Sequence, residues 1–176
     1  MMLKPLVSGY LIILFGTMIS LISLKPYLIV LWMSILPVTE LRAAIPFVLS
    51  YYGGEPVLIF IFAVIGNIIP AFFILWGLDL VNDSLQKHEN FIKKTYNWVL
   101  ARARNKTESK VLQYGYLALL LFVAIPLPGT GAWTGSLAAW LFGLPKKKSF
   151  LIICLGVILS GIIVTLLTTG AINIVK

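Results

Sequence analysis

The chain has 176 residues, 60% of them hydrophobic and 11% charged, with a mean hydropathy of +0.99 and a formal net charge of +8. Soluble domains carry about 25% charged residues, and a soluble chain this apolar would expose patches that drive association. The composition therefore excludes an ordinary soluble domain and points to an all-α integral membrane protein, with 1–176 as a single membrane domain. The positive balance is explained by the positive-inside rule, so no nucleic-acid partner is expected.

The single cysteine, Cys154, lies in an apolar run, and the single histidine, His88, in a polar stretch. No clustered ligands of a metal site are present in the pattern, and no metal or cofactor is expected. Residues 6–23 follow Lys4 as an apolar run of about 18 residues, long enough to cross a bilayer. They lack an obvious A-x-A-like cleavage signal and read as a retained span.

Residues 27–52 are apolar but broken. Glu40 and Arg42 are the only charges between Lys25 and Glu55, and Pro37 and Pro46 flank them. An ion at the bilayer centre costs roughly 2.5–3.5 kcal/mol on insertion scales, so these residues mark more than an anchor. Each piece reaches only ~15–20 Å, short of the ~30 Å hydrocarbon core. A re-entrant helical hairpin over 27–52 follows, closed by the turn Gly53–Pro56. Residues 57–78 form a full span, with Asn67 near its centre and Pro70 one turn later, where a kink is expected.

Residues 79–110 change character. Lys87, Lys93, Lys94, Arg102, Arg104, Lys106 and Lys110 accompany Leu85, Ile92, Tyr96 and Val99 at helical spacing. The pattern predicts a basic amphipathic helix on the membrane surface; a solvated loop helix is the alternative. Residues 111–144 break at Pro126-Leu-Pro-Gly-Thr-Gly131 and read as a second re-entrant hairpin. Pro145-Lys-Lys-Lys148 forms a surface turn, and 149–170 a last full span, in which Gly156 and Ser160 suit helix packing.

Leu36-Pro37-Val38-Thr39 parallels Leu127-Pro128-Gly129-Thr130. Each is followed by a helix of similar length, a Gly-Pro turn and a full span, which suggests a duplicated unit. If both broken segments are hairpins, Lys4, the seven basic residues of 79–110 and Lys146–Lys148 share one face. That face holds 11 of the 14 basic residues, leaving Lys25, Arg42 and Lys176 elsewhere. The positive-inside rule makes it cytoplasmic. The hairpins then enter from opposite faces, and the architecture becomes three full spans plus two re-entrant hairpins in an inverted repeat. Transporters use such broken helices, with their site near the midplane; channels use them too.

The candidate site lies at the two tips. Thr39 and Thr130 are placed to N-cap the second half-helix of each hairpin, and both N-termini favour an anion. Pro126 and Pro128 shape the second tip, and Gly129 and Gly131 leave its backbone open to a ligand; the alternative is that all four serve only the turn. Glu40 and Arg42 stand two apart, a spacing at which helical side chains do not face each other, so no local ion pair is expected. Arg42 suits an anionic head group, and Glu40 a coupling proton; an interhelical bridge is the alternative for both. Asn67 can line the cavity or bond a neighbouring helix. Trp133 can pack on substrate or lipid.

With Pro37-Val-Thr-Glu-Leu-Arg-Ala-Ala-Ile-Pro46 and Ala124-Ile-Pro-Leu-Pro-Gly-Thr-Gly-Ala-Trp-Thr-Gly135 in view, the chain resembles the small multidrug export proteins, distant relatives of the DedA/VTT-domain superfamily. The resemblance runs from about residue 20 to 170. It implies a multi-pass protein of the cytoplasmic membrane with two inverted re-entrant hairpins. In that superfamily it also implies transport of polyprenyl-phosphate carrier lipids, coupled to protons or sodium, or lipid scrambling. Glu40 and Arg42 match the acidic and basic residues of the first-hairpin motif. DedA members carry arginines in the second hairpin, whereas none occurs here between Lys110 and Lys146. Phosphate binding would then fall to Arg42 and backbone amides.

The expected function is a secondary transporter of an amphipathic, anionic, lipid-like substrate. Alternatives are a small multidrug exporter and an uncoupled lipid scramblase or channel. No nucleophile–base constellation suggests an enzyme. Membrane lipids, a proton or sodium ion and a second copy in a homodimer are the expected partners. Cysteines introduced as Gly54→Cys and Lys146→Cys should be labelled by an impermeant reagent from opposite sides of the membrane; labelling from one side removes the inverted repeat.

Overall fold

The computed structural model describes residues 24–86 and 109–175, and among these every regular element is a helix. The expected span at 6–23, and most of the expected basic amphipathic helix of 79–110, lie outside the described residues. The helices are α1 (Leu24–Ile35), α2 (Glu40–Tyr51), α3 (Pro56–Gln86), α4 (Ser109–Ala124), α5 (Ala132–Leu141) and α6 (Lys146–Val175).

Two of them are long and apolar enough to cross a membrane, over Pro56–Leu78 and Lys146–Ile174. The first, 23 residues long, covers about 35 Å at 1.5 Å per residue. Both turn large apolar side chains outward, Phe73, Leu151, Leu166 and Leu167 among them. That display is costly in water and ordinary against lipid.

α3 and α6 run antiparallel. Phe72 and Trp76 meet Phe150 at one end, with ring centroids 6.0 and 5.5 Å apart. At the other end Gly161 faces Phe60 and Val64.

The segments expected to break do break, at 36–39 and 125–131. Each also doubles back on itself. At the base of the first, the Glu55 N–H donates to the Tyr27 hydroxyl at 3.3 Å, and Lys25 Nζ lies 5.6 Å from the centre of the Tyr52 ring. In the second, Gly135 packs on Val123 and Leu119 near the tip, while Gly115 approaches Leu144 at the base. α2 and α5 have 12 and 10 residues, roughly 18 and 15 Å of helix.

The core joins both folded-back segments to the long helices. Leu41, Ala44, Ile45 and Val48 of α2 are fully buried, as are Ile59, Ala63, Ala71 and Leu75 of α3 and Ile153 and Val157 of α6. Val123 at the end of α4 is wedged between Gly135 of α5 and Gly156 of α6. On the other side, α1 lies directly on α3, with Gly66 against the Leu31 carbonyl and the Ser34 side chain. A methyl group at Gly66 would overlap that carbonyl.

Gly66→Ala should therefore destabilise the protein by roughly 1–3 kcal/mol through overpacking. Gly77→Ala, in the same helix but with open space around it, should be neutral or stabilising by about 0.5–1 kcal/mol. Thermal unfolding in detergent reads the pair. Equal effects at the two positions would mean that α1 and α3 do not pack this closely.

Candidate functional site

The two tips meet, and Glu40 and Arg42 make the junction. Contrary to the expectation from their spacing, they form an ion pair, with Arg42 Nη1 donating to Glu40 Oε2 at 2.5 Å. The reason is local. Glu40 opens α2 with φ +43°, in the left-handed region that side chains other than glycine rarely adopt. The rule that i and i+2 diverge holds between two helical residues, and Glu40 is not yet one. Such a conformation costs about 1–3 kcal/mol and persists only where its surroundings enforce it.

Those surroundings belong to the second tip. The Trp133 N–H donates to Glu40 Oε1 at 3.3 Å, so the carboxylate sits on the N-terminus of α5. Gly131, the N-cap of α5, presses on the same carboxylate, and any β-carbon there would overlap it. Arg42 Nη2 donates to the carbonyls of Val123 at 2.8 Å and Ile125 at 3.5 Å, at the end of α4, and to that of Thr130. The Trp133 indole N–H donates back to the Ile35 carbonyl at the end of α1, at 3.0 Å. Four half-helix ends are thus tied by three side chains.

The threonines act differently from expectation. Neither caps the helix that follows it. Thr39 occupies the N-cap position but its hydroxyl makes no cap bond; it donates backwards to the Met33 carbonyl. The Thr130 hydroxyl donates to the carbonyls of Ile125 and Leu127, at 3.0 and 2.9 Å, and the N-cap is Gly131, one residue later. The Thr130 hydroxyl is turned towards the carbonyls of the turn before it, which already accept backbone N–H groups, and the next helix starts one residue later. The Gly131 N–H is met instead by Thr134 Oγ1 at 2.9 Å.

The structure thus brings Glu40, Arg42, Thr130, Gly131 and Trp133 into one cluster. Pro37, Pro128 and Gly129 lie on the exposed side of the tips, with Gly129 at φ +79° in the turn that glycine permits. Pro126 is half-buried beside them. Pro46 lies inside α2, where it has no N–H for the Arg42 carbonyl. Asn67 is buried in α3 with its Oδ1 unpartnered. Sequence reasoning missed Ile35, Val123 and Ile125, which contribute backbone carbonyls and so leave no side-chain signature. Thr134, three residues after Gly131, could have been found from the capping-box spacing. Among the described residues, no group of three or more His, Cys, Asp or Glu side chains is placed to hold a metal ion.

A family model described as "Putative small multi-drug export protein" matches residues 40–163. The chain belongs to this small multi-drug export family. The match opens on Glu40 and takes in both halves of the junction. No curated protein and no solved structure shows significant similarity to the chain.

Removing one partner from a buried ion pair leaves the other uncompensated, at about 3–5 kcal/mol. Arg42→Ala should show a loss of that order in the unfolding of the detergent-solubilised protein. The double variant Glu40→Ala/Arg42→Ala should recover part of it. Additive losses would mean that the two residues do not act as a pair.

Proposed function

We propose that the protein is a secondary transporter of the cytoplasmic membrane, coupled to a proton or sodium gradient, that moves an amphipathic, anionic, lipid-like substrate of the polyprenyl-phosphate type. The observation that carries this reading is the buried Glu40–Arg42 pair between two half-helix tips. Buried charge inside a membrane protein is expensive and marks substrate or ion pathways. Here it stands where broken helices meet, as it does in transporters built from inverted repeats.

The reading takes the two doubled-back segments as re-entrant hairpins that enter from opposite faces. Three features support it: both half-helices after the tips are too short to cross, the basic residues would share one face, and the motifs resemble those of the DedA/VTT superfamily. Arg42 and the N-terminus of α5 hold the anionic head group, and Glu40 carries coupling. Asn67, buried without a partner for its Oδ1, borders the pathway.

The family description favours a second reading, export of small cationic drugs. Glu40 is then the binding anion, released from Arg42 when the cation arrives. A drug should in that case compete with protons at Glu40.

Flux of a fluorescent polyprenyl-type phosphate lipid into reconstituted vesicles tests the first reading. Glu40→Gln should remove the gradient dependence, and Arg42→Ala should slow flux by about tenfold or more, a barrier higher by at least ~1.4 kcal/mol. Wild-type rate and wild-type gradient dependence in both variants would overturn it.

A further inference from the structure

The anion site at the junction is already occupied. The Glu40 carboxylate accepts the Trp133 N–H at 3.3 Å and Arg42 Nη1 at 2.5 Å, which are the donors an incoming oxyanion would need. Arg42 Nη2 is committed to the carbonyls of Val123, Ile125 and Thr130, and Arg42 Nε is buried without a partner. Gly131 leaves no space between the α5 N-terminus and the carboxylate. A second anion therefore cannot join Glu40 there; it can only replace it.

Charge gives the rule of replacement. With Glu40 ionised, the pair is neutral as a whole. Placing another anion on Arg42 beside an ionised Glu40 would leave a net negative charge in a low-dielectric site, which is strongly disfavoured. Placing it there beside a protonated Glu40 restores neutrality. Among the described side chains, Arg42 is the charged group that acts on Glu40. Lys25 and Glu55 stand at the base of the first folded-back segment and Lys146–Lys148 just beyond that of the second, and the residues facing Glu40 from α1, α4 and α5 offer backbone groups, Thr130 and Trp133. The Glu40 backbone, held at φ +43°, gains freedom when its carboxylate leaves.

We propose that Glu40 is an internal occupant of the oxyanion site, displaced by a singly charged phosphate- or sulfonate-type head group with uptake of one proton by Glu40. The inference rests on the transport reading for its physiological meaning, but the exchange itself is a binding property. It makes proton and anion move together because the empty and loaded sites are both neutral.

The test is calorimetric titration of the purified protein with decanesulfonate and with methanesulfonate. Both are monoanions whose charge does not change between about pH 5 and 8. In the wild type, affinity should fall by about tenfold per pH unit once Glu40 is ionised. Repeating the titration in buffers of different ionisation heat should count one proton taken up per anion. Glu40→Gln, which imitates the protonated residue, should bind about tenfold or more tightly near neutral pH, with neither pH dependence nor proton uptake. Glu40→Asp should keep the proton uptake. Tighter binding of decanesulfonate than of methanesulfonate supports exchange with an amphiphile, and equal binding supports exchange with a free oxyanion. Binding of neither probe at about pH 5, binding without proton uptake, or weaker binding by a folded Glu40→Gln protein would overturn the exchange. The proton count needs no variant, so it decides even if Glu40→Gln fails to fold. Proton-linked binding without flux would remove the transport reading alone, and flux with no proton uptake on binding would remove the exchange alone.

Discussion

The ion pair between Glu40 and Arg42 is the constraint on which the junction depends. Two adjacent charges on one short helix reach across to the other folded-back segment and serve opposite needs there. The carboxylate meets the N–H end of α5, and the guanidinium meets the carbonyl end of α4. Both are favourable with the helix dipoles. A buried pair by itself is weak evidence for stability, because desolvation offsets the attraction. What favours this one is that Glu40 Oε1 and Arg42 Nη2 find backbone partners at the ends of α5 and α4, which the breaks expose, although Arg42 Nε stays without one. The junction and the breaks are therefore interdependent.

The breaks themselves follow from the same requirement. An apolar medium offers no hydrogen bonds to an interrupted backbone. Three tip positions, 37, 126 and 128, are proline, which has no N–H to satisfy. The threonine hydroxyls take up carbonyls, and Trp133 reaches back to Ile35. What looks in sequence like two helix-breaking motifs is a division of labour, in which prolines remove donors and hydroxyl, indole and guanidinium groups supply them where carbonyls remain.

Much of this was legible beforehand and some was not. The two breaks were readable because prolines and charges interrupt runs otherwise apolar. The closeness of the two tips was implied by the parallel motifs at 36–39 and 127–130. The pairing of Glu40 with Arg42 was not readable, because it requires a left-handed residue at the helix start, and sequence spacing assumes helical geometry throughout. The roles of Thr39 and Thr130 were misjudged for a related reason. A hydroxyl between two helices can serve either, and only the positions of the nearby carbonyls decide which. Arg42's main partners are backbone atoms, which no side-chain pattern records.

The unequal lengths of the helices have a consequence for the surrounding lipid. α6 opens on three lysines, and its apolar part from Phe150 to Ile174 measures about 37 Å, beyond the ~30 Å of hydrocarbon in a typical bilayer. It must tilt, or the leaflets must thicken around it. α2 and α5 are less than half as long, and as the proposed re-entrant half-helices they would favour thinning instead. On that proposal one molecule would impose opposite mismatches on neighbouring lipids, with the boundary between thick and thin beside the junction.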